Sequence, residues 1–236
     1  MEEKTFGLTA NALKIYAVVA MIIDHFAWAF IPSSSPLGAI MHFIGRTCAP
    51  LICFFVAEGY LHTKSLKKYA FRLAIFAVVS QVPFSMFVNS GKISLLPTNM
   101  IFTLLCGLLA LCAWNYIENR FLSCLCVLAL VLITNYSDWK IFGVVFILIF
   151  AIFNDNRKMM LVAYASAALL KIGLDTFLGG FNLYTFISRL GIFVPIILIT
   201  LYNGKRSTSL LPISKWFFYI AYPLQFILLI ALRLCL

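Results

Sequence analysis

The reading of this chain turns on residues 21–62, MIIDHFAWAFIPSSSPLGAIMHFIGRTCAPLICFFVAEGYLH. Apolar residues run almost unbroken on both sides of Pro32-Ser33-Ser34-Ser35-Pro36. Each run reaches the roughly 20 residues that cross a bilayer, and a Pro/Ser cluster is a turn signal. Two membrane-spanning helices and a short turn are therefore predicted. All three histidines of the chain, His25, His42 and His62, lie in this stretch, with Arg46 and the acids Asp24 and Glu58. Ionisable groups at bilayer depth are costly and mark function.

The whole chain fits that reading. Of 236 residues, 63% are hydrophobic and only 11% are charged, whereas a soluble domain is about a quarter charged. In lipid every backbone polar group must be satisfied internally, so only helices or closed barrels span. The runs are continuously apolar rather than alternating, which selects helices. The expectation is an all-α, polytopic integral membrane protein with about nine transmembrane helices in one domain over residues 1–236. The first run carries Asp24 and His25 and has no convincing cleavage site, so it reads as a retained helix rather than a signal peptide. Seven cysteines lie inside apolar runs without Cys-x-x-Cys spacing, which argues against a zinc site or disulfide framework.

The predicted spans are about 12–31, 37–61, 69–88, 99–116, 121–133, 141–153, 159–177, 183–202 and 215–234, with Thr9 or Asn11 capping the first. A net charge of +10 is read as topology, not nucleic-acid binding. Twelve Lys and Arg (Lys4, Lys14, Lys64, Lys67, Lys68, Arg72, Arg120, Arg157, Lys158, Lys205, Arg206 and Lys215) fall on the N-terminal side of this arrangement. Lys92, Lys140, Arg189 and Arg233 fall on the other, and Arg46 and Lys171 lie within the membrane. The positive-inside bias makes the N-terminus cytoplasmic.

His25 lies about seven residues from the outer end of the first helix and Arg46 about nine from the outer start of the second, so their depths are similar at about 1.5 Å per residue. Adjacent antiparallel helices should then bring Asp24 to Arg46, either as a structural ion pair with His25 a hydrogen-bonded core residue, or as a functional cluster with His25 facing a cavity. His42, four residues before Arg46, shares its face. Pro50 has no N–H to reach the Arg46 carbonyl, which predicts a local kink. Glu58 and His62, at i and i+4, are read as an interfacial pair or as acid/base groups. Lys64, Lys67, Lys68 and Arg72 are either a topological signal or a docking site for a phosphate-bearing cytoplasmic donor. Lys171 and Asp175 should neutralise each other. Ser80, Gln81, Asn99 and Thr103 either line an outer cavity or bond helices together.

Leu13-Lys14, Met21-x-x-Asp24-His25, Gly45-Arg46-x-x-x-Pro50, Glu58-Gly59-x-x-His62-Thr63, Tyr69-x-x-Arg72-Leu73, Gln81-x-Pro83-Phe84 and Asn99-x-x-Phe102-Thr103 together resemble the TraX family, the conjugative-pilin acetylases and their chromosomal relatives. The resemblance is close over residues 11 to about 110. It implies a multi-pass protein of the bacterial plasma (inner) membrane that moves acetyl from cytoplasmic acetyl-CoA, a co-substrate, to an exported acceptor. That acceptor would be the N-terminal amine of a pilin-like peptide or a cell-envelope glycan, with the lipid bilayer as surroundings and no metal or nucleic acid. The family looks distantly similar to larger membrane acyltransferases that often end in Tyr-Pro-x-His. Here the last helix reads Tyr222-Pro223-Leu224-Gln225, with glutamine in the histidine's place.

Under that reading His25 is the base for an attacking amine or hydroxyl. Asp24 orients it or pairs with Arg46, and Arg46 stabilises the oxyanion. Glu58 and His62 are alternative acid/base groups, Lys64, Lys67, Lys68 and Arg72 hold the donor, and Gln81, Asn99 and Thr103 meet the acceptor. The competing reading is a proton-coupled transporter of a small anion, with Arg46 as the binding cation and His25 and Asp24 as the relay. It predicts paired repeats and broken helices in corresponding positions, and the sequence has no visible repeat.

Overall fold

The computed structural model describes residues 7–205 and 216–235. The described residues form eleven α-helices and two short 3-10 turns, with no β-strand beyond two isolated bridges. Six helical spans are long and apolar enough to cross a membrane: Ala10–Phe30, Pro36–His62, Leu66–Val88, Arg157–Gly179, Leu183–Leu201 and Phe217–Cys235. Three shorter apolar helices, Met100–Tyr116, Arg120–Tyr136 and Lys140–Ile152, lie between them in sequence. The chain is thus an all-helical, multi-pass membrane protein. Lys4, Arg206 and Lys215, which bear on the orientation, and the predicted start of the last helix at 215 lie outside the described residues.

Helix starts follow local chemistry. Thr9, Ser35, Ser65, Asn99, Asn119 and Asn182 each cap a helix by accepting a backbone N–H from its first turn, which satisfies donors that lipid cannot.

The chain divides into two compact units, Met1–Ile52 with Ala168–Leu236, and Cys53–Ala167. In the first unit α1 (Ala10–Phe30) packs on α2 (Pro36–Gly45) and on α11 (Phe217–Cys235), and α2 packs on α9 (Leu183–Leu190). Ala17, Ala20 and Ala27 are almost fully buried on α1. Such small residues allow close helix approach in lipid, where packing rather than the hydrophobic effect drives association. Ile15, Val19, Ile22 and Phe26 are exposed, which suits a face turned to acyl chains. His25 of α1 meets Phe226 of α11, with ring centroids 4.7 Å apart, and Arg233 donates to the Trp28 carbonyl at 3.3 Å. Both contacts advance in the same direction, so α1 and α11 run parallel.

In the second unit α5 (Met100–Tyr116) is central and packs on α4 (Leu66–Val88), α6 (Arg120–Ile133) and α7 (Lys140–Ile152). Cys106, Ala110 and Val144 form its small buried centre. Phe146 packs edge-on and Phe150 tilted against Tyr164, with ring centroids 5.0 and 5.1 Å apart.

Two predicted single helices are interrupted. The second ends as α2 at Gly45 and resumes as α3 (Cys48–His62), with Arg46-Thr47 as the break. The cause is the one expected at Pro50, which cannot donate to the Arg46 carbonyl. Thr47 secures the break, its hydroxyl donating to the Ile44 carbonyl at 2.7 Å and meeting the Tyr16 hydroxyl at 3.1 Å. The helix expected over 183–202 is α9, a 3-10 turn at Gly191–Phe193 and α10 (Val194–Leu201). Here Gly191 abuts the main chain of Phe43, and any Cβ would strike the Phe43 carbonyl.

Candidate functional site

The helices of the first unit place an ionic cluster between α1 and α2. Asp24 lies six residues before Phe30, the end of α1, and His42 six after Pro36, the start of α2. Counted from the shared turn they are level. His42 Nδ1 donates to Asp24 Oδ1 at 2.7 Å, with side-chain exposures of 2% and 14%. A carboxylate only accepts, so Nδ1 carries the proton and in neutral His42 the lone pair sits on Nε2. That nitrogen meets the Ser33 hydroxyl at 3.3 Å. Trp28 covers the ring, centroids 5.0 Å apart.

The expected partner of Asp24 is Arg46, but the hydrogen bond goes to His42. Arg46 lies four residues, or about 6 Å of helix rise, further from the turn. It still acts on Asp24 electrostatically, as do His25 and His42. Arg46 Nε is buried and has no hydrogen-bond partner among the described residues, an arrangement that a buried polar group tolerates poorly without a ligand. Gly45 is required here, since a Cβ at that position would overlap the Asp24 carboxylate. Asp24 thus carries the negative charge of the cluster, and Arg46 keeps a buried donor that no described residue engages. Such a donor suits an anion or a developing oxyanion.

His42 is the functional candidate that sequence reasoning omits from its catalytic set. The available signal is its distance from the turn, which equals that of Asp24. His25 is half-buried beside Phe226.

The other predicted residues lie in different surroundings. His62 Nδ1 bonds the main-chain carbonyl of Glu58 at 2.9 Å. Lys64, Lys67 and Lys68 are exposed around the first turn of α4, where Ser65 caps the helix. Arg72 lies over the Tyr69 ring at 5.6 Å, and its Nε is buried and unpartnered among the described residues. Gln81 Nε2 is within reach of the Ser94, Leu95 and Pro97 carbonyls at 3.0–3.2 Å, and Gln81 Oε1 accepts from Asn99 N and Nδ2 at 3.1 and 2.8 Å. Asn99 Nδ2 also donates to the Ala77 carbonyl, and Thr103 donates to Ser137. Gln81 and Asn99 bond helices to the 89–98 loop and to each other, and Thr103 bonds α5 to Ser137, the second of the two roles the sequence allows. Lys171 and Asp175 form the expected ion pair at 2.7 Å. Among the described residues no group of three or more His, Cys, Asp or Glu is placed to hold a metal ion.

An all-helical, multi-pass chain with a His/Asp/Arg cluster inside its first two spans is a polytopic membrane protein with a buried polar site. Its sequence matches the profile of the TraX protein over residues 9–233. The chain belongs to the TraX family. It is 31% identical, over 98% of both chains, to a probable fimbrial assembly protein FimC, serogroup H1, of Dichelobacter nodosus. It is also 26% identical to an uncharacterized protein of Rickettsia prowazekii (strain Madrid E), over 56% of this chain and 48% of that one. No solved structure matches.

Proposed function

We propose that the protein is an integral membrane acetyltransferase of the bacterial inner membrane, with its N-terminus in the cytoplasm. It moves acetyl from cytoplasmic acetyl-CoA to an exported acceptor, by preference the N-terminal amine of a pilin-like peptide, with an envelope glycan hydroxyl as the other acceptor. The observation that carries the reading is the Asp24–His42 bond within electrostatic reach of His25 and Arg46, inside a membrane-spanning helix pair. Near-complete alignment with a fimbrial assembly protein favours a pilin-like acceptor.

In this reading His25 takes the proton of the attacking amine or hydroxyl. Asp24, held by His42, fixes the charge of the cluster. The orphaned Arg46 Nε stabilises the tetrahedral oxyanion as the thioester carbonyl is attacked; on its collapse the C–S bond breaks and coenzyme A leaves as the thiol, taking the proton from His25. Glu58 and His62 are the alternative acid/base pair. Lys64, Lys67 and Lys68 hold the donor's phosphates with Arg72. Three lysines at a helix N-terminus oppose the helix dipole, and a phosphate relieves that opposition. Gln81 and Asn99 shape the 89–98 loop on the acceptor side, and Thr103 holds Ser137, whose neighbours Tyr136 and Asp138 bond Thr98.

The test is transfer of isotopically labelled acetyl from acetyl-CoA by the purified full-length protein in detergent. A pilin-like peptide with a free N-terminus and the same peptide with a blocked one are compared by mass spectrometry. Label on the free amine alone is expected. Label on neither peptide nor on a glycan acceptor would overturn the assignment.

A further inference from the structure

The last helix carries a feature that the proposed chemistry does not use. On α11 the buried residues are Tyr222, Pro223, Gln225, Phe226 and Leu229. Phe226 packs on His25, and Tyr222 packs edge-on against Phe226 at 5.1 Å. Gln225 is only 5% exposed, and both Nε2 and Oε1 are buried with no hydrogen-bond partner among the described residues. Gln81, by contrast, has both polar atoms engaged. A buried amide left unpaired is unfavourable in any apolar surrounding, and leucine or methionine would fill the space without that cost. Because both atoms are orphaned, exchanging the oxygen and nitrogen of the amide does not remove the problem.

We propose that Gln225 is a substrate-binding residue that pairs with a secondary amide seated beside His25. The side chain presents one donor group (NH2) and one acceptor group (C=O) on a single plane, and one N–H with the C=O complements a C=O and N–H pair. A carboxylate would leave Oε1 unmet, an ammonium would leave Nε2 unmet, and a thioester carbonyl alone satisfies only Nε2. Glutamine has no proton to exchange, so its role is binding and orientation. The identity of the reactants rests on the acetyl-transfer reading. Within it, secondary amides come from two sources, the pantetheine arm of acetyl-CoA and the backbone of a peptide acceptor. Holding either one fixes the thioester carbonyl against the attacking group, which is where orientation contributes to rate.

The test compares wild type with Gln225→Met and Gln225→Leu, each as the full chain in detergent. Thermal-shift titration uses pantetheine and N-acetylglycine N′-methylamide as amide probes. The expected result is that at least one probe stabilises wild type and binds the variants roughly tenfold to a hundredfold more weakly. Kinetics then separate the sources. If the donor amide is held, kcat/KM falls for acetyl-CoA but not for the amide-free S-ethyl thioacetate. If the peptide is held, the fall appears with peptide acceptor and not with a simple amine. Failure of both probes to bind wild type, or equal binding to the variants, would overturn the proposal. Probe binding lost in the variants with no thiol release by wild type would instead overturn the acetyl-transfer reading and leave the amide site standing.

Discussion

Replacing Asp24 by Asn keeps the shape of the side chain against Gly45 and removes only its charge. The carboxylate sits 2.7 Å from His42 Nδ1, at 14% side-chain exposure, and also offsets Arg46 and His25. A hydrogen bond to a charged group contributes about 1.5–3 kcal/mol, and stripping one partner from a buried ionic cluster costs about 3–5 kcal/mol. Because Asn still offers an acceptor to His42, the expected stability loss is about 3 kcal/mol, the lower end of that range. General acid–base catalysis as a whole contributes about 10²–10⁴-fold in rate, so thiol release should fall by up to that amount. Denaturant unfolding in detergent and thiol release are measured for Asp24→Asn, His42→Ala and the double variant. If Asp24 and His42 act as one unit, the double variant loses little more than Asp24→Asn. Stability effects that add within about 0.5 kcal/mol, or an Asp24→Asn protein as stable as wild type, would refute the reasoning.

Gly45→Ala puts a methyl group onto the Asp24 carboxylate, whereas a Cβ added at Gly173 would meet nothing within 4 Å. Gly45→Ala should cost about 1–3 kcal/mol and most of the activity, while Gly173→Ala should be neutral or stabilising by up to about 1 kcal/mol, both read by melting and thiol release. Gln81→Leu should destabilise by about 1–3 kcal/mol through the carbonyls and Asn99 groups it leaves unmet, with KM for acetyl-CoA unchanged. Replacing Lys64, Lys67 and Lys68 together by Gln should raise KM for acetyl-CoA, flatten its salt dependence and leave kcat in place.

Much of the helical layout is legible in the sequence because each span is a continuous apolar run. The starts at Ser65, Asn99 and Asn182 are marked by capping residues within a few positions of the expected boundaries. The break at Arg46-Thr47 is legible too, since Pro50 removes a specific hydrogen bond. The break at Gly191 is not. It answers to a tertiary contact with the Phe43 carbonyl, which local propensity does not encode. At the site, Asp24, His25 and Arg46 stand out as ionisable residues in apolar runs. Their pairing depends on depth, and counting from soft helix boundaries sets Arg46 level with His25. Measured from the turn between Phe30 and Pro36, His42 is the residue level with Asp24. Gln81 and Asn99 could equally line a cavity or bond helices until the path of the 89–98 loop is known. Gln225 gains meaning only when its neighbours are in place and none of them meets its amide.

The most direct test of the central claim is acetyl-CoA-dependent thiol release by purified protein in detergent, wild type beside His25→Ala, with folding of both checked by thermal melting. The account predicts release by wild type and its loss, by about 10²-fold or more, in a His25→Ala protein that melts normally. Full activity in His25→Ala would move the base to His42, Glu58 or His62. Absence of both thiol release and coenzyme A binding in wild type would contradict the acetyltransferase reading itself.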